Sequence, residues 1–353
     1  MKKFFALLLA LAMTLSLAAC GGSSSSSSTS GDASKPSSSN TSSDAGAATY
    51  EWSIACVTAE NHPMTKACMT FAENVKEATD GRVNITVYYA GQLGSDPEIC
   101  AQVMDGTLEM AFPSVGNMGS FTELVYAYQL PFMITDWDQY LELSKSEEAA
   151  ELLDAISKEL GVKALGTWNS GFRHLLAVDA PIASVSDCSG KKFRVGENDL
   201  FVSLFKALGA SPTVIAYGEI YTSLQNKVID ALEMDISAVY MEKHFEVAKY
   251  LTKTGHFTWP GICLVNEDAW NSLSAEDQAA FEEAAMKTLD ENIAYIADVE
   301  AETTEKLEAE GVVITDMTDD MYKEFVNAEA DVIKNFTKND VVRAYYEKAL
   351  SLQ

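Results

Sequence analysis

The chain has 353 residues, of which 47% are hydrophobic, and it carries a formal net charge of −27 at pH 7. This length is enough to bury a sizeable apolar core. The acidic balance excludes nucleic-acid binding, which needs a basic face, and it excludes adhesion to anionic lipid through the protein surface.

The N-terminal segment is typical of a secretory signal peptide. Lys2 and Lys3 precede an apolar run over 4–17, which is too short for a comfortable membrane span. The sequence Leu-Ala-Ala-Cys that ends at Cys20 resembles a bacterial lipobox. That resemblance implies removal of residues 1–19 and lipid attachment to Cys20. The alternative is an ordinary signal peptide with an incidental cysteine.

Residues 20–49 are mostly Ser, Gly, Thr and Ala after the cysteine. Such a segment cannot bury enough apolar surface to offset its ordering entropy, so it is predicted to be a flexible tether with a reach of roughly 30 Å. The chain that follows is long enough for two lobes around a cleft.

The first part of the mature chain alternates predicted strands with predicted helices. The expected elements are a strand at 50–57, a helix at 62–80, a strand at 82–89, a turn at 91–94, a helix from Asp96 to about Gly106 and a strand at 108–112. Asp96 followed by Pro97 is typical of an N-cap with proline at the first helical position. This order predicts an α/β lobe with a largely parallel sheet.

The middle of the chain continues the alternation. A helix is predicted at 146–160 with Gly161 as its stop, and a second at 200–208 with Gly209 as its stop. Strands are predicted at 162–168, 172–178 and 192–195. A second lobe is expected over about 175 to 260, with hinges where the chain crosses near 170–178 and 255–265.

The longest helical pattern lies near the C-terminal end. Residues 262–310 contain neither glycine nor proline, Ser274 is a candidate N-cap, and Gly311 is a candidate stop. Helices this long are uncommon in compact domains. The pattern therefore allows one long helix or two helices with an unmarked break.

The cysteines predict neither a zinc site nor a redox motif. Five of the six follow the N-terminal segment, and none forms a Cys-x-x-Cys pair. Their neighbours are mostly apolar, so buried free thiols are expected, with one disulfide left open. The five are Cys56, Cys68, Cys100, Cys188 and Cys263.

The sequence lacks the common catalytic signatures. It has no G-x-S-x-G elbow, no H-E-x-x-H, no phosphate-binding loop of the Walker type and no dinucleotide-binding G-x-G-x-x-G. Its four histidines show no metal-ligand spacing. The sequence therefore predicts that the protein is not an enzyme and that it needs neither a cofactor nor a metal.

Two arginines lie in short apolar runs with the character of strands, where a guanidinium is costly unless a partner satisfies it. Arg194, in the run Phe-Arg-Val, is either a structural arginine paired with a glutamate such as Glu197 or Glu219, or a ligand contact. Arg173 is either a strand-edge arginine that bonds backbone or a second ligand contact.

Four further residues are candidates for lining a binding cleft, each with a structural alternative. Tyr217 lines the cleft or is a core aromatic, and Trp259 stacks on a ligand or packs at a hinge. Ser114 and Asn117 follow a predicted strand at the edge where parallel sheets bind ligands, and turn formation is their alternative role.

The stretch from Trp168 to Met234 carries a family resemblance. It contains WNSGFRHLL, SGKKFRV and FKALGASPTVIAYGEIYTSLQNKVIDALEM. In order and spacing these segments resemble the central signature of the DctP-type solute-binding proteins of tripartite (TRAP) transporters, which includes G-x-R, L-K-G-x-K-x-R-V, K-A-L-G-A, P-T-x-x-x-x-E-x-Y and G-Q-E-N. The resemblance extends over roughly residues 50 to 340.

The resemblance implies an α/β fold of the two-lobed, clam-shell periplasmic-binding-protein type, with mixed sheets and one long helix that spans both lobes. Lobe I is expected at 50–174 and 262–310, and lobe II with the C-terminal helices at 175–261 and 311–353. It also implies that Arg194 grips the ligand carboxylate and that Arg173 supplies a further charged contact. A guanidinium suits this task because its planar fork matches a carboxylate bidentately.

Two departures from the family pattern bear on the ligand. Met234 stands where many members have an asparagine that hydrogen-bonds the ligand, so it is expected to offer a soft apolar wall. Gly196 stands where the family has proline after R-V. These changes favour a monocarboxylate with an apolar body, while dicarboxylates, sugar acids, keto acids and aromatic acids stay open.

The function implied by the resemblance is that of an extracytoplasmic receptor. It would bind a small organic acid between its lobes and deliver it to the small and large membrane subunits of a TRAP permease for ion-gradient-driven uptake. A lipid on Cys20 would hold it at the outer face of the cell membrane, on the periplasmic side if an outer membrane is present. The alternatives are a sensory lipoprotein that signals to a membrane kinase or chemoreceptor, and a surface enzyme.

Overall fold

A computed structural model describes residues 49–353, so the predictions for the signal peptide, for Cys20 and for nearly all of the tether lie outside the described residues. The strands are β1 Tyr50–Ala55, β2 Val83–Tyr88, β3 Met110–Ala111, β4 Val162–Ala177, β5 Lys192–Val195, β6 Ser211–Val214, β7 Ala231–Asp235, β8 Tyr250–Lys253, β9 Thr258–Asn266 and β10 Val313–Asp316. The helices are α1 Pro63–Ala78, α2 Asp96–Asp105, α3 Trp137–Ser144, α4 Glu147–Leu160, α5 Asp199–Ala207, α6 Ile220–Gln225, α7 Ile236–Met241, α8 Glu267–Ser272, α9 Ala275–Ala309, α10 Asp319–Phe336 and α11 Asp340–Ser351.

The sheets are mixed and meet at β4. One set of strands has the order β2-β1-β3-β9-β4, and the path continues as β4-β7-β5-β6, with β8 pairing both β4 and β10. The pairs β1–β2, β1–β3, β5–β6 and β5–β7 are parallel, whereas β9 and β7 run antiparallel to β4. The α/β architecture with mixed sheets is therefore confirmed.

Strand β4 is continuous where the sequence predicts two strands. Its register against β9 shifts between Asn169 and Phe172, and Gly171 within that interval has φ 144°. Glycine takes this conformation without a steric penalty, so the chain passes through a bulge and the strand resumes. The bulge lies where β4 leaves β9 and begins to pair with β7 at 173–177 and with β8 at 175–177, inside the predicted crossing near 170–178.

Two apolar clusters fill the interior, and the larger one extends into β5 and α5 through Phe193 and Phe205. The larger contains Trp168 and Phe281, and the smaller contains Leu176, Met234 and Leu307. Burial of apolar surface is the main stabilising term, and both clusters include residues of β4, the strand at which the two sets of strands meet.

Helix α9 confirms the prediction of one long helix. It runs for 35 residues from the N-cap Ser274, whose side chain accepts from the Asp277 amide, and it ends just before Gly311. Phe281 near its start belongs to the larger cluster and Leu307 near its end to the smaller one. The helix therefore connects both lobes as a stiff element.

Two local predictions are wrong in detail. The N-cap of α2 is Ser95, which forms a capping box with Glu98, and Asp96 is the first helical residue. Strand β3 is shorter than the predicted 108–112. Asp96 does not cap because its carboxylate accepts from the Ser114 amide and the Asn117 side chain instead.

Two further observations concern the described residues. Within 49–353 no helix is both long enough and apolar enough to cross a membrane. The five cysteines of this range are all buried and unbridged.

Candidate ligand-binding site

The candidate site is a cavity between segments from both halves of the fold. A space of about 470 Å³ is lined by the turn after β2 and the start of α2 on one side, and by 214–219 on the other. Its volume lies in the range that small-molecule sites occupy. A smaller space of about 10 Å³ lies further in and shares Val57, Asp96, Asn117 and Tyr217 with the larger one.

Arg173 is fully engaged by acceptors of the protein. Its Nε donates to the carboxylate of Glu233, its Nη1 donates to Asp235 Oδ2 at 2.9 Å, and its Nη2 donates to the Glu233 carbonyl at 2.8 Å. Its guanidinium also lies 4.0 Å from the ring centroid of Trp259. Since the side chain is 1% exposed, these contacts are what offsets the loss of its hydration.

Arg194 is equally buried but has fewer partners. Its Nε donates to the Ile215 carbonyl at 2.9 Å, and its Nη1 lies 3.9 Å from Glu233 Oε1, which is beyond a hydrogen bond. Over the part of the chain that the structure describes, Nη1 has no hydrogen-bond partner. Burial lowers the pKa of Arg194 to about 10, which leaves the guanidinium charged at neutral pH.

Glu233 lies between the two arginines. One of its carboxylate oxygens accepts from Arg173, and the other faces Arg194 without a hydrogen-bond partner within 49–353. Burial raises the pKa of Glu233 against the lowering effect of both guanidiniums. The glutamate near Arg194 is therefore neither of the two that the sequence suggested, because β7 pairs with β4 and lies beside β5.

Asp96, Ser114 and Asn117 form one hydrogen-bonded group at the wall of both spaces. Asp96 Oδ1 accepts from the Ser114 amide at 3.1 Å, and Oδ2 accepts from the Asn117 amide group at 2.6 Å. Asn117 Oδ1 in turn accepts from the Glu197 amide at 3.1 Å, a contact that joins the two halves of the fold. Burial raises the pKa of Asp96 to about 6, because no basic side chain contacts it among the described residues.

Two buried histidines beside the arginines are neutral at pH 7. His62 caps α1 through Nδ1, and its Nε2 lies 3.8 Å from Asp235 Oδ1. Burial lowers the pKa of His62 to about 4 and that of His244 to about 3. Neither histidine therefore adds positive charge to the site at neutral pH.

Aromatic side chains and glycines shape the cleft. Tyr217 lines both spaces, and its hydroxyl donates to Glu242 at 3.2 Å. Trp259 lines the inner space and packs so closely on Gly116 that a Cβ there would lie 2.3 Å from the indole. A Cβ on Gly196 would lie 2.7 Å from Asn117 Oδ1 and 2.9 Å from the Gly116 carbonyl. Gly196 thus allows the close approach across the cleft.

The bulge in β4 is held by helix α9. Asn292 Oδ1 accepts from the Asn169 amide at 2.6 Å, and its Nδ2 donates to the Asn169 carbonyl at 3.1 Å. Asn169 Oδ1 also accepts from the Trp259 amide at 3.1 Å. The long helix is therefore hydrogen-bonded to the segment from which both halves of the fold diverge.

The structure brings most, not all, of the predicted site residues together. The predicted site residues that line the inner space are Ser114, Asn117, Arg173, Tyr217 and Trp259. Arg194 lines neither space and is connected to the group through Glu233. Met234 is completely buried in the smaller apolar cluster and lines neither space, because it alternates in β7 with Glu233 and Asp235, which face Arg173.

The sequence did not identify four acidic or titratable residues as members of the site. They are His62, Asp96, Glu233 and Asp235. Aspartate is a preferred N-cap residue, and Asp235 caps the short helix α7 by accepting from the Ala238 amide. This capping preference is the one sequence signal that could have pointed to Asp235. No metal site stands among them, since the described residues contain no group of three or more His, Cys, Asp or Glu with suitable geometry.

Comparison with known proteins places these features in a family. The profile of the DctP proteins, described as bacterial extracellular solute-binding protein, family 7, matches residues 54–340. A solute-binding protein from Chromohalobacter salexigens is 32% identical over 273 residues, which are 77% of this chain and 81% of that protein.

A C4-dicarboxylate-binding periplasmic protein DctP from Vibrio cholerae is 28% identical over 308 residues, with 87% of this chain and 92% of that protein covered. A crystal structure of a TRAP periplasmic solute-binding protein from Chromohalobacter salexigens with bound D-glucuronate has a TM-score of 0.80 and 29% identity, over 86% of this chain and 100% of that one. The profile match and the similarity of the fold show the same result: this chain belongs to the DctP family of bacterial extracellular solute-binding proteins.

Proposed function

We propose that this protein is an extracytoplasmic receptor that binds a small organic acid between its lobes and delivers it to the two membrane subunits of a TRAP permease. The observation that carries the proposal is the buried Nη1 of Arg194, which lacks a hydrogen-bond partner within residues 49–353. Because Arg194 lines neither space, the proposal requires that the ligand carboxylate reach it past Glu233. A buried charged donor left unpaired is costly, so a carboxylate that completes its hydrogen bonds gains affinity.

The relatives support an acid as the ligand class. The similar protein from Vibrio cholerae binds C4-dicarboxylates, and the similar structure from Chromohalobacter salexigens holds D-glucuronate. Both are carboxylates, for which a guanidinium is the best-matched side chain. Closure of the lobes would exclude water and strengthen this contact.

The location is part of the proposal. The Leu-Ala-Ala-Cys sequence that ends at Cys20 supports a lipid anchor on the outer face of the cell membrane, with the residues to 49 as the tether. Fractionation of cells that express the Cys20→Ser chain checks this point. Equal membrane retention of wild-type and Cys20→Ser protein would contradict the anchor.

Replacing Arg194 with lysine is expected to weaken acid binding about tenfold, because lysine keeps the charge but loses the bidentate fork. The measurement is calorimetric titration of residues 49–353 with the acid that gives the largest thermal shift in a panel of dicarboxylates, sugar acids, keto acids, aromatic acids and amino acids. A ligand at a hundredfold excess over its Kd should add about 2.7 kcal/mol of stability, a readable shift.

The matched control is Arg343→Lys. Arg343 is an exposed arginine of α11 that pairs only with Asp340 in the described part of the chain. Affinity should be unchanged in this variant. Equal affinities of the Arg194→Lys protein and wild type would remove Arg194 from the site, and absence of binding by every acid in the panel would overturn the proposed function.

A further inference from the structure

The charges around the inner space do not balance. Two guanidiniums, those of Arg173 and Arg194, lie among three buried carboxylates, those of Asp96, Glu233 and Asp235. The histidines beside them are neutral at pH 7. A ligand that carries only negative charge would add to this excess in a region where water is scarce.

The larger space, which forms the entrance to the inner one, is also lined by an excess of negative charge. Four carboxylates line the larger space, and no lysine, arginine or histidine of the described chain does. They belong to Asp96, Glu98, Glu197 and Glu219. An acidic cluster by itself can be a solvated surface, but this one leads inward to buried polar atoms that lack partners within 49–353, namely His62 Nε2 and Ser114 Oγ. Such atoms mark a place where a polar ligand completes the hydrogen bonding.

The three buried carboxylates differ in the charge of the groups that donate hydrogen bonds to them. Glu233 and Asp235 are bound by Arg173, and Asp235 also accepts from Ser170 and from the start of α7. Asp96 accepts only from an amide and a carboxamide, both neutral. Asp96 is therefore the buried carboxylate of the site without a cation in contact, and it faces both the entrance and the interior.

We propose that the ligand of this protein is a zwitterion, a small acid that also carries a cationic nitrogen, with its carboxylate at Arg194 and its nitrogen at Asp96. The inference rests on the proposed function, because it keeps the carboxylate contact and adds a second one. The added nitrogen gives Asp96 the cation that it lacks, and the ligand brings no net charge into the acidic cleft. The ring of Tyr217, which lines both spaces, is a further contact for a cation.

The raised pKa of Asp96 is consistent with this assignment. A carboxylate that is buried without a cation holds its proton to a higher pH, and a ligand cation would favour the ionised form. Several charged and titratable groups line a space together with Asp96 or interact with it electrostatically. They are Glu98 and Cys100 on its own helix, and Cys56, His62, Arg173, Arg194, Glu197, Tyr217, Glu219 and Asp235 on other elements.

The test uses pairs of ligands that share a carbon skeleton and differ at the nitrogen. The probes are 4-aminobutyrate with butyrate, D-glucosaminate with D-gluconate, and L-phenylalanine with 3-phenylpropionate, followed by the other amino acids and betaines with their nitrogen-free acids. At least one zwitterion is expected to bind ten times more tightly than its partner, and Asp96→Asn is expected to remove that preference. Asp105→Asn, at the far exposed end of α2, is the charge-matched control.

Ligand affinity of the wild-type protein, measured by the same titrations at pH 5 and pH 7, is a second test that needs no variant. Since Asp96 is protonated in the free protein below about pH 6, binding of a zwitterion should weaken about tenfold at pH 5. An anionic ligand should show the opposite trend, because protonation of Asp96 removes a repulsive charge.

Each other outcome overturns the inference. If the nitrogen-free acid binds at least as tightly in every pair, or if no zwitterion binds, the ligand is not a zwitterion. If acids then still bind in a manner that depends on Arg194, the proposed function survives alone, and if no acid binds, both fail. A preference for the zwitterion that persists in Asp96→Asn overturns the assignment to Asp96.

Discussion

Replacing Arg173 with methionine is expected to lower the free energy of unfolding by about 3–5 kcal/mol, the range for breaking a buried ion pair by removing one partner. Methionine keeps much of the volume but leaves Glu233 and Asp235 buried at 0% and 1% exposure without their cation. Urea unfolding of residues 49–353, with and without ligand, measures the change.

Lys145→Met is the control for loss of an ion pair at the surface. Lys145 pairs with Asp290 at 2.7 Å, but the two side chains are 45% and 54% exposed, so the expected change is below about 1 kcal/mol. Adding Glu233→Gln and Asp235→Asn to Arg173→Met should restore part of the stability, because the unpaired charges are then removed. If Arg173→Met unfolds like Lys145→Met and loses only affinity, Arg173 serves the ligand and not the fold.

Replacing Gly196 with valine is expected to weaken ligand binding about 100-fold, at the upper end of the roughly 1–3 kcal/mol that overpacking costs. The first carbon of the side chain would already lie 2.7 Å from Asn117 Oδ1 and 2.9 Å from the Gly116 carbonyl. The contact between Asn117 and the Glu197 amide would then be lost, and the closed form would be populated less.

The measurement is calorimetric affinity for the tightest-binding acid, together with the radius of gyration from X-ray scattering at saturating ligand. Gly196→Val should remain more expanded than wild type when ligand is present. Gly166→Val is the control, since a Cβ on Gly166 in β4 meets no atom within 4 Å. Wild-type affinity and compactness in Gly196→Val would show that the close approach at Gly196 is not needed for binding.

Together, these predictions separate the roles of the two arginines. Arg173 has three hydrogen bonds to acceptors of the protein, whereas Arg194 has one and keeps a free donor within the described chain. The family resemblance assigns ligand contacts to both. Arg173 lines the inner space and holds Glu233 and Asp235 in place, whereas Arg194 lines neither space but keeps the unpartnered donor. That donor is why we propose Arg194 as the contact for the ligand carboxylate.

The sequence by itself determined the elements whose signals are local. Ser146 and Gly161 bound α4, and Ser274 and Gly311 bound α9, as their capping preferences predict. The family signature determined the two-lobed fold, because order and spacing of many motifs are preserved along the chain. The cost of an arginine in an apolar run also singled out Arg194 before any contact was known.

Only the tertiary structure decided which groups meet in the cleft. Arg173 and Glu233 are 60 positions apart in sequence, and their contact depends on the pairing of β4 with β7. The period of two in β7 placed Met234 on the opposite face from Glu233, but the sequence does not say which face the apolar cluster covers. The lack of a cation at Asp96 is likewise a property of the assembled site, because charge balance depends on distances that no local pattern encodes.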